Sequence, residues 1–238
     1  MTSPIQFEIG AQPDDETCGP TCLHATYRYF GHQCSLKEVI ESVTPVKTGG
    51  TIPAYLGCDA LKRGFRVTVY SFELPLFDPT WRDLTQAELA EKLRAQALVK
   101  KSKRLRQATD AYLGFIELGG VVRFRDLGSR LLREYLERRV PILTGLSSTY
   151  LYGTSREFAG KSDDIKGTPE GHFVVLCGFA QETRKVLVAD PYLPNPVTEG
   201  QYYEVSIEHL ISSVFLGALT YDSALLVIEP PADEEETQ

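Results

Sequence analysis

The sequence predicts an α+β fold with helices early and strands late, and three observations carry that reading. Apolar residues recur at helical spacing through much of the first 140 positions. Short apolar runs bounded by turn residues dominate the last third, and two of them are joined by a short polar turn, the pattern of a β-hairpin. No internal repeat and no low-complexity linker divides the 238 residues, so one domain over 1–229 is expected, closed by an acidic tail at 230–238 that reads as disordered.

The elements follow in order. Pro20 suits the first turn of a helix and Gly31 the position just past its end, with Leu23, Tyr27 and Phe30 spaced as a buried face between them. That helix starts at or just after Cys18, which sets the sulfur beside the unsatisfied N–H groups of the first turn. A second helix is expected over 53–63, ended by Gly64, and 65–72 alternates like a strand. Helical composition covers 85–106, with Leu89, Leu93 and Ala97 as one stripe, and returns over 125–139. Residues 76–139 together read as a helical insertion. A buried strand is expected at 140–146, then a polar loop over 147–171 long enough to cover a cleft. The hairpin strands are 172–179 and 185–189, and the chain finishes with a strand at 202–205, a helix from Ser206 and a strand at 224–228.

Composition narrows the function. With 42% hydrophobic and 24% charged residues the chain can bury a proper core, which excludes disorder as a whole. The formal charge is −7, from 25 basic and 32 acidic side chains, and Asp233, Glu234, Glu235 and Glu236 in the tail account for most of it. No net positive field would attract phosphates, so no nucleic-acid partner is expected. No stretch approaches the ~20 apolar residues of a membrane span, and the amino terminus shows no apolar signal core, so no membrane contact and a cytoplasmic location are expected. Five cysteines, an odd number, read as free thiols in a reducing compartment.

One of those thiols has the setting of a nucleophile. Catalysis by cysteine needs a favoured thiolate, a base to move a proton and a third group to orient the base. Cys18 sits at a helix start. His172 opens one hairpin strand after Gly171, and Asp190 ends the other, so antiparallel pairing brings imidazole and carboxylate together. Taken alone, Cys18 reads better as a small buried apolar residue, and it is Gln12, His172 and Asp190 in order that turn the reading to a nucleophile. Cys22, one turn on, reads as core packing. The group Cys18, Cys22, His24, His32 and Cys34 lacks the paired spacing of structural zinc sites, so neither metal nor organic cofactor is expected. His209 reads as a satisfied polar residue, the basic run 100–106 as a solvated helix face, and 48–51 as a turn.

Gln12, the run Cys18-Gly19-Pro20-Thr21-Cys22-Leu23, the run Gly171-His172-Phe173-Val174-Val175 and Asp190-Pro191 resemble the cysteine peptidase family that trims bacteriocin leaders after a double glycine. They are most similar to its stand-alone, soluble relatives, since the exporter-linked members carry a membrane span and an ATPase. The match covers 12–31 and roughly 140–192. The resemblance implies a papain-like fold, with the Cys18 helix packed on a mainly antiparallel sheet. It implies Cys18 as nucleophile, His172 as general base and acid, Asp190 as orienting carboxylate and Gln12 as oxyanion donor. The reaction implied is hydrolysis of a peptide or isopeptide bond through a thioester, on a peptide or protein that contains glycine if the family's preference carries over. Two other readings stay open: an acyl or peptidyl transferase using the same thioester, and an inactive peptide-binding module. Asp14, Asp15 and Glu16 count against easy thiolate formation unless they face solvent.

Overall fold

Alternation and apolar runs set the strands, and pairing assembles most of them into one sheet. The computed structural model describes residues 5–46 and 50–231. Its strands are β1 (Arg66–Ser71), β2 (Val121–Arg123), β3 (Ile142–Ser147), β4 (Glu157–Phe158), β5 (Lys161–Ser162), β6 (Gly171–Ala180), β7 (Lys185–Ala189), β8 (Tyr202–Ser206) and β9 (Ala224–Glu229). Its helices are α1 (Cys18–Tyr29), α2 (Leu36–Ser42), α3 (Pro53–Lys62), α4 (Gln86–Val99), α5 (Lys103–Glu117), α6 (Ser129–Leu136), α7 (Ser148–Tyr152) and α8 (Ile207–Leu216).

Seven strands form one sheet in the order β2-β1-β9-β3-β6-β7-β8, and β4 and β5 make a separate small hairpin. Only β1 and β2 are parallel; the other pairs are antiparallel. The central strands β3 and β9 are buried almost throughout, which is why they read as continuous apolar runs rather than as alternation. Helix α1 packs on β6, α3 on β1 and β9, and α8 on β3, β7 and β8. The fold is α+β, with the cysteine-bearing helix laid on a mainly antiparallel sheet.

Several elements differ from the sequence expectation. The helical stretch expected over 85–106 is two helices, broken where Lys100 turns extended and Ser102 caps the second by accepting the Leu105 N–H at 3.3 Å. The helix expected over 125–139 occupies only Ser129–Leu136, because Gly128 holds an extended conformation in front of it. The segment 76–139 is not purely helical, since β2 adds an edge strand beside β1. The loop expected over 147–171 carries α7 and the β4–β5 hairpin. Helix α2 was not expected, although Ser35-Leu36-Lys37-Glu38 carries a capping box whose two reciprocal bonds both form. The turn expected at 48–51 falls partly, and the acidic tail mostly, outside the described residues.

The 76–139 segment docks through Phe115 of α5, which is fully buried against two glycines. A Cβ on Gly57 of α3 would lie 2.6 Å from the Phe115 ring, and one on Gly120 would lie 2.4 Å from it. Gly57→Ala therefore overpacks the α3–α5 contact and is expected to destabilise the protein by about 1–3 kcal/mol, measured by urea unfolding.

Candidate active site

The site forms where the start of α1 meets one end of the sheet. Cys18 is the first residue of α1, whose first turn holds no acidic side chain to oppose the helix dipole. Seating that turn on β6 depends on Gly19, where a Cβ would come within 2.9 Å of Thr51 Cγ2 and 3.3 Å of the Phe173 ring. One turn further, the Cys22 thiol donates to the Phe173 carbonyl at 3.3 Å. Cys22 is fully buried, and that burial, with the nearby Cys18 and Asp190, raises its pKa well above the usual thiol range. It packs in the core, as its spacing predicts. Asp14, Asp15 and Glu16, which could oppose a thiolate, are solvent-exposed.

The β6–β7 hairpin supplies the other two groups. Ala189 pairs with Val175, so Asp190, just past β7, lies at the same end of the hairpin as His172 near the start of β6. His172 Nε2 lies 2.8 Å from Asp190 Oδ1. Burial alone would lower the His172 pKa; the hydrogen bond and charge of Asp190, with the adjacent Cys18 sulfur, reverse this and hold it above the ordinary imidazole range. Because Nε2 is engaged by Asp190, Nδ1 is the nitrogen left to exchange a proton with the sulfur.

Asp190 is fully buried, and a carboxylate in that position costs several kcal/mol unless its oxygens are paired. Both are. Oδ1 also accepts the Tyr192 N–H at 2.9 Å, while Oδ2 accepts the hydroxyls of Tyr152 at 2.8 Å and Tyr203 at 2.7 Å. Burial pushes its pKa up, but the charge and hydrogen bond of His172, with these other donors, outweigh it and keep the carboxyl below its usual range. Tyr152, at the end of α7, ties the 147–171 segment directly to the site. Its ring centroid lies 6.0 Å from that of His172, and that of the partly exposed Tyr192 lies 6.3 Å away.

Gln12 is anchored beside this constellation by its backbone N–H, which donates to the Pro191 carbonyl at 2.9 Å. Its Nε2 donates one hydrogen to the Asp14 carbonyl at 2.8 Å, leaving the second free, and its Oε1 is buried without a partner. The remaining candidates lie elsewhere. His24 contacts the Cys34 carbonyl at 3.1 Å, and His209 the Leu151 carbonyl at 3.0 Å. Lys100 and Lys101 fall in the break between α4 and α5, and Arg104 is not simply solvated, since it donates to the Thr220 carbonyl and lies over the Tyr221 ring.

Sequence reasoning did not find Tyr152 and Tyr203. Neither sits in a local motif: Tyr152 lay in a stretch read as loop and Tyr203 in an ordinary alternating strand. Only a search for donors to a buried carboxylate could have nominated them.

The fold, and the family whose model the chain matches, are those of a cysteine-type peptidase. The model of the Peptidase_C39 like family matches residues 4–213, and the chain belongs to that family. Among solved structures it is similar to the peptidase domain of Streptococcus ComA, a bi-functional ABC transporter, at 16% identity and a TM-score of 0.47, covering 94% of this chain and 99% of that one. It is also similar to a Bacillus anthracis protein described as a C39-like peptidase, at 12% identity and a TM-score of 0.48 over 97% and 100% of the two chains. Xylellain, a cysteine protease from Xylella fastidiosa, is 18% identical with a TM-score of 0.45 over 94% and 83%. These likenesses are too loose to bear on the chemistry. A comparison with curated proteins finds no match. Among the described residues no helix is long and apolar enough to cross a membrane.

Tyr203→Phe removes one of the two phenol donors from a buried anion and nothing else. It is expected to cost about 1.5–3 kcal/mol in urea unfolding. A pH dependence follows from His172. Because its pKa is raised on folding, its stabilisation is complete below about pH 6.5 and is lost as pH rises through the folded value. Asp190→Asn removes the cause, so the stability gap between wild type and this variant should narrow from neutral to alkaline pH.

Proposed function

We propose that the chain hydrolyses a peptide or isopeptide bond, with Cys18 as nucleophile, His172 as general base and acid, and Asp190 as the carboxylate that orients the ring. The observation that carries this reading is the His172 imidazole, held by Asp190 at 2.8 Å through Nε2 with the Cys18 sulfur beside it. The Cys18 thiol gives its proton to His172, and the thiolate attacks the carbonyl carbon. The resulting oxyanion is met by the Cys18 backbone N–H and the free N–H of the Gln12 amide. As the tetrahedral species collapses, the C–N bond breaks and the imidazolium protonates the departing amine, leaving a thioester on Cys18. Water then attacks that thioester with His172 accepting its proton, releasing the carboxylic acid and restoring the thiol.

Burial opposes a thiolate at Cys22 and at Cys177. The substrate is a peptide or protein segment, and a glycine preference follows only from the family. In this reading the enzyme is cytoplasmic, works without a cofactor and is one domain with 76–139 as an insertion in it.

Iodoacetamide labelling near neutral pH, located by mass spectrometry, tests the nucleophile. Cys18 is expected to react first, and His172→Ala to slow it to the rate of the other thiols; equal labelling of all five cysteines in the wild type would refute the proposal. In digests of a peptide library, product masses should show the gain of one water, Cys18→Ala should abolish cleavage while the protein stays folded, and Gln12→Ala should lower kcat/KM by about 10²–10³-fold.

A further inference from the structure

A second site lies along the same end of the sheet, three strands from His172. Ser71 of β1 pairs with Ala224 of β9, Ala224 with Gly145 of β3, and Gly145 with Phe173 of β6. This row places Glu73, two residues beyond Ser71, past the same sheet end as His172, at about 14 Å for three strand spacings. There a cavity of about 300 Å³ opens, walled by Phe72, Phe77, Phe124 and Phe215, with Glu73 in its lining. The Phe72 and Phe215 rings stand at 85° with centroids 5.4 Å apart, and Phe77 and Phe124 at 64° and 5.3 Å, so the walls form two aromatic corners.

Glu73 is 3% exposed. Its Oε1 accepts the Ser223 N–H at 2.8 Å, but its Oε2 is buried without any partner. An orphaned carboxyl oxygen in such a place costs stability unless something brings it a donor. Arg104, whose charge acts on it, does not, because it is turned to the Thr220 carbonyl and the Tyr221 ring. At the rim, Arg125 is paired with Glu134 at 2.8 Å, which leaves Asp78 and Asp126 against Arg82 and a negative local balance. Leu74 is 70% exposed beside the opening, an apolar surface suited to an aliphatic stem. Aromatic walls, a carboxyl group in the lining and an exposed apolar side chain are the chemistry that recognises an alkylammonium group.

We propose that this cavity binds the side-chain ammonium of a lysine in the peptide substrate, about four extended residues from the scissile bond given ~3.4 Å per residue. The peptidase reading supplies only the identity of the ligand as substrate. The 76–139 segment, which contributes Phe77 and Phe124, thereby builds half of a specificity pocket.

Binding can be read without turnover, by NMR titration of the full chain with N-acetyl-lysine methylamide and its norleucine counterpart. The lysine probe is expected to bind at least about tenfold more tightly than norleucine, and Glu73→Gln to erase that difference while leaving norleucine binding unchanged. Phe215→Ala, at a half-exposed wall, should weaken the lysine probe in a protein whose fold is not at risk. Burial, reinforced by the charge of Asp222, pushes the Glu73 carboxyl up to about 8 despite its bond from Ser223 and the charge of Arg104. Taking up an ammonium therefore releases a proton, and lysine affinity should climb between pH 6.5 and 8.5 more steeply in the wild type than in Glu73→Gln. Asp222, itself raised to about 7 by burial, is coupled to Glu73 by charge, so the comparison is made in an Asp222→Asn background; Tyr112, Arg104 and the rim charges Asp78, Asp126 and Arg82 are then common to both proteins. Equal binding of the two probes, or a cavity that takes only solvent, would overturn the proposal. An unreactive Cys18 would sink the peptidase reading and leave this one standing.

Discussion

The structure turns on a carboxylate buried away from water. Asp190 has no exposed surface, and an unpaired charge in that position would outweigh much of what a domain of this size gains by folding. It is tolerable because four donors meet its two oxygens: the His172 ring, the Tyr192 amide and the hydroxyls of Tyr152 and Tyr203. Those donors come from β6, the turn after β7, α7 and β8. Satisfying one anion therefore fixes the relative positions of four pieces of chain, and the orientation of the imidazole follows from that constraint.

The same end of the sheet concentrates the other unusual polar groups. Glu73, Asp222 and Ser223 are buried there, with Arg104 of α5 closing over the adjacent loop. Strand ends suit such a role, because the backbone pairing that occupies N–H and C=O groups within the sheet stops there, and side chains from neighbouring strands converge. An antiparallel core brings His172 and the cavity beside Glu73 to one end of the sheet, across four strands, with Cys18 of α1 laid against that end.

Much of the fold was legible locally. The α1 boundaries followed from Pro20 and Gly31, the latter at φ 78°, and the hairpin followed from two apolar runs around a polar turn. What escaped was decided by neighbours. The break between α4 and α5 is a cap at Ser102 inside a helix-favouring composition, β2 is three residues that become a strand only because β1 offers an edge, and α7 is a single short turn. None of these carries enough local periodicity to be read from sequence.

By itself the sequence determined the order of the elements, the likeness to a peptidase family and the His172–Asp190 pair, because residue spacing within a helix or a hairpin is short-range geometry, and it was the likeness that joined Cys18 to them. The tertiary structure alone decided that two tyrosines clamp Asp190, that Gln12 is tethered to Pro191, and that Glu73 shares a cavity with Phe124 and Phe215. Each of those contacts joins residues far apart in the chain, and such pairs leave no trace in spacing because only the packed sheet brings them together.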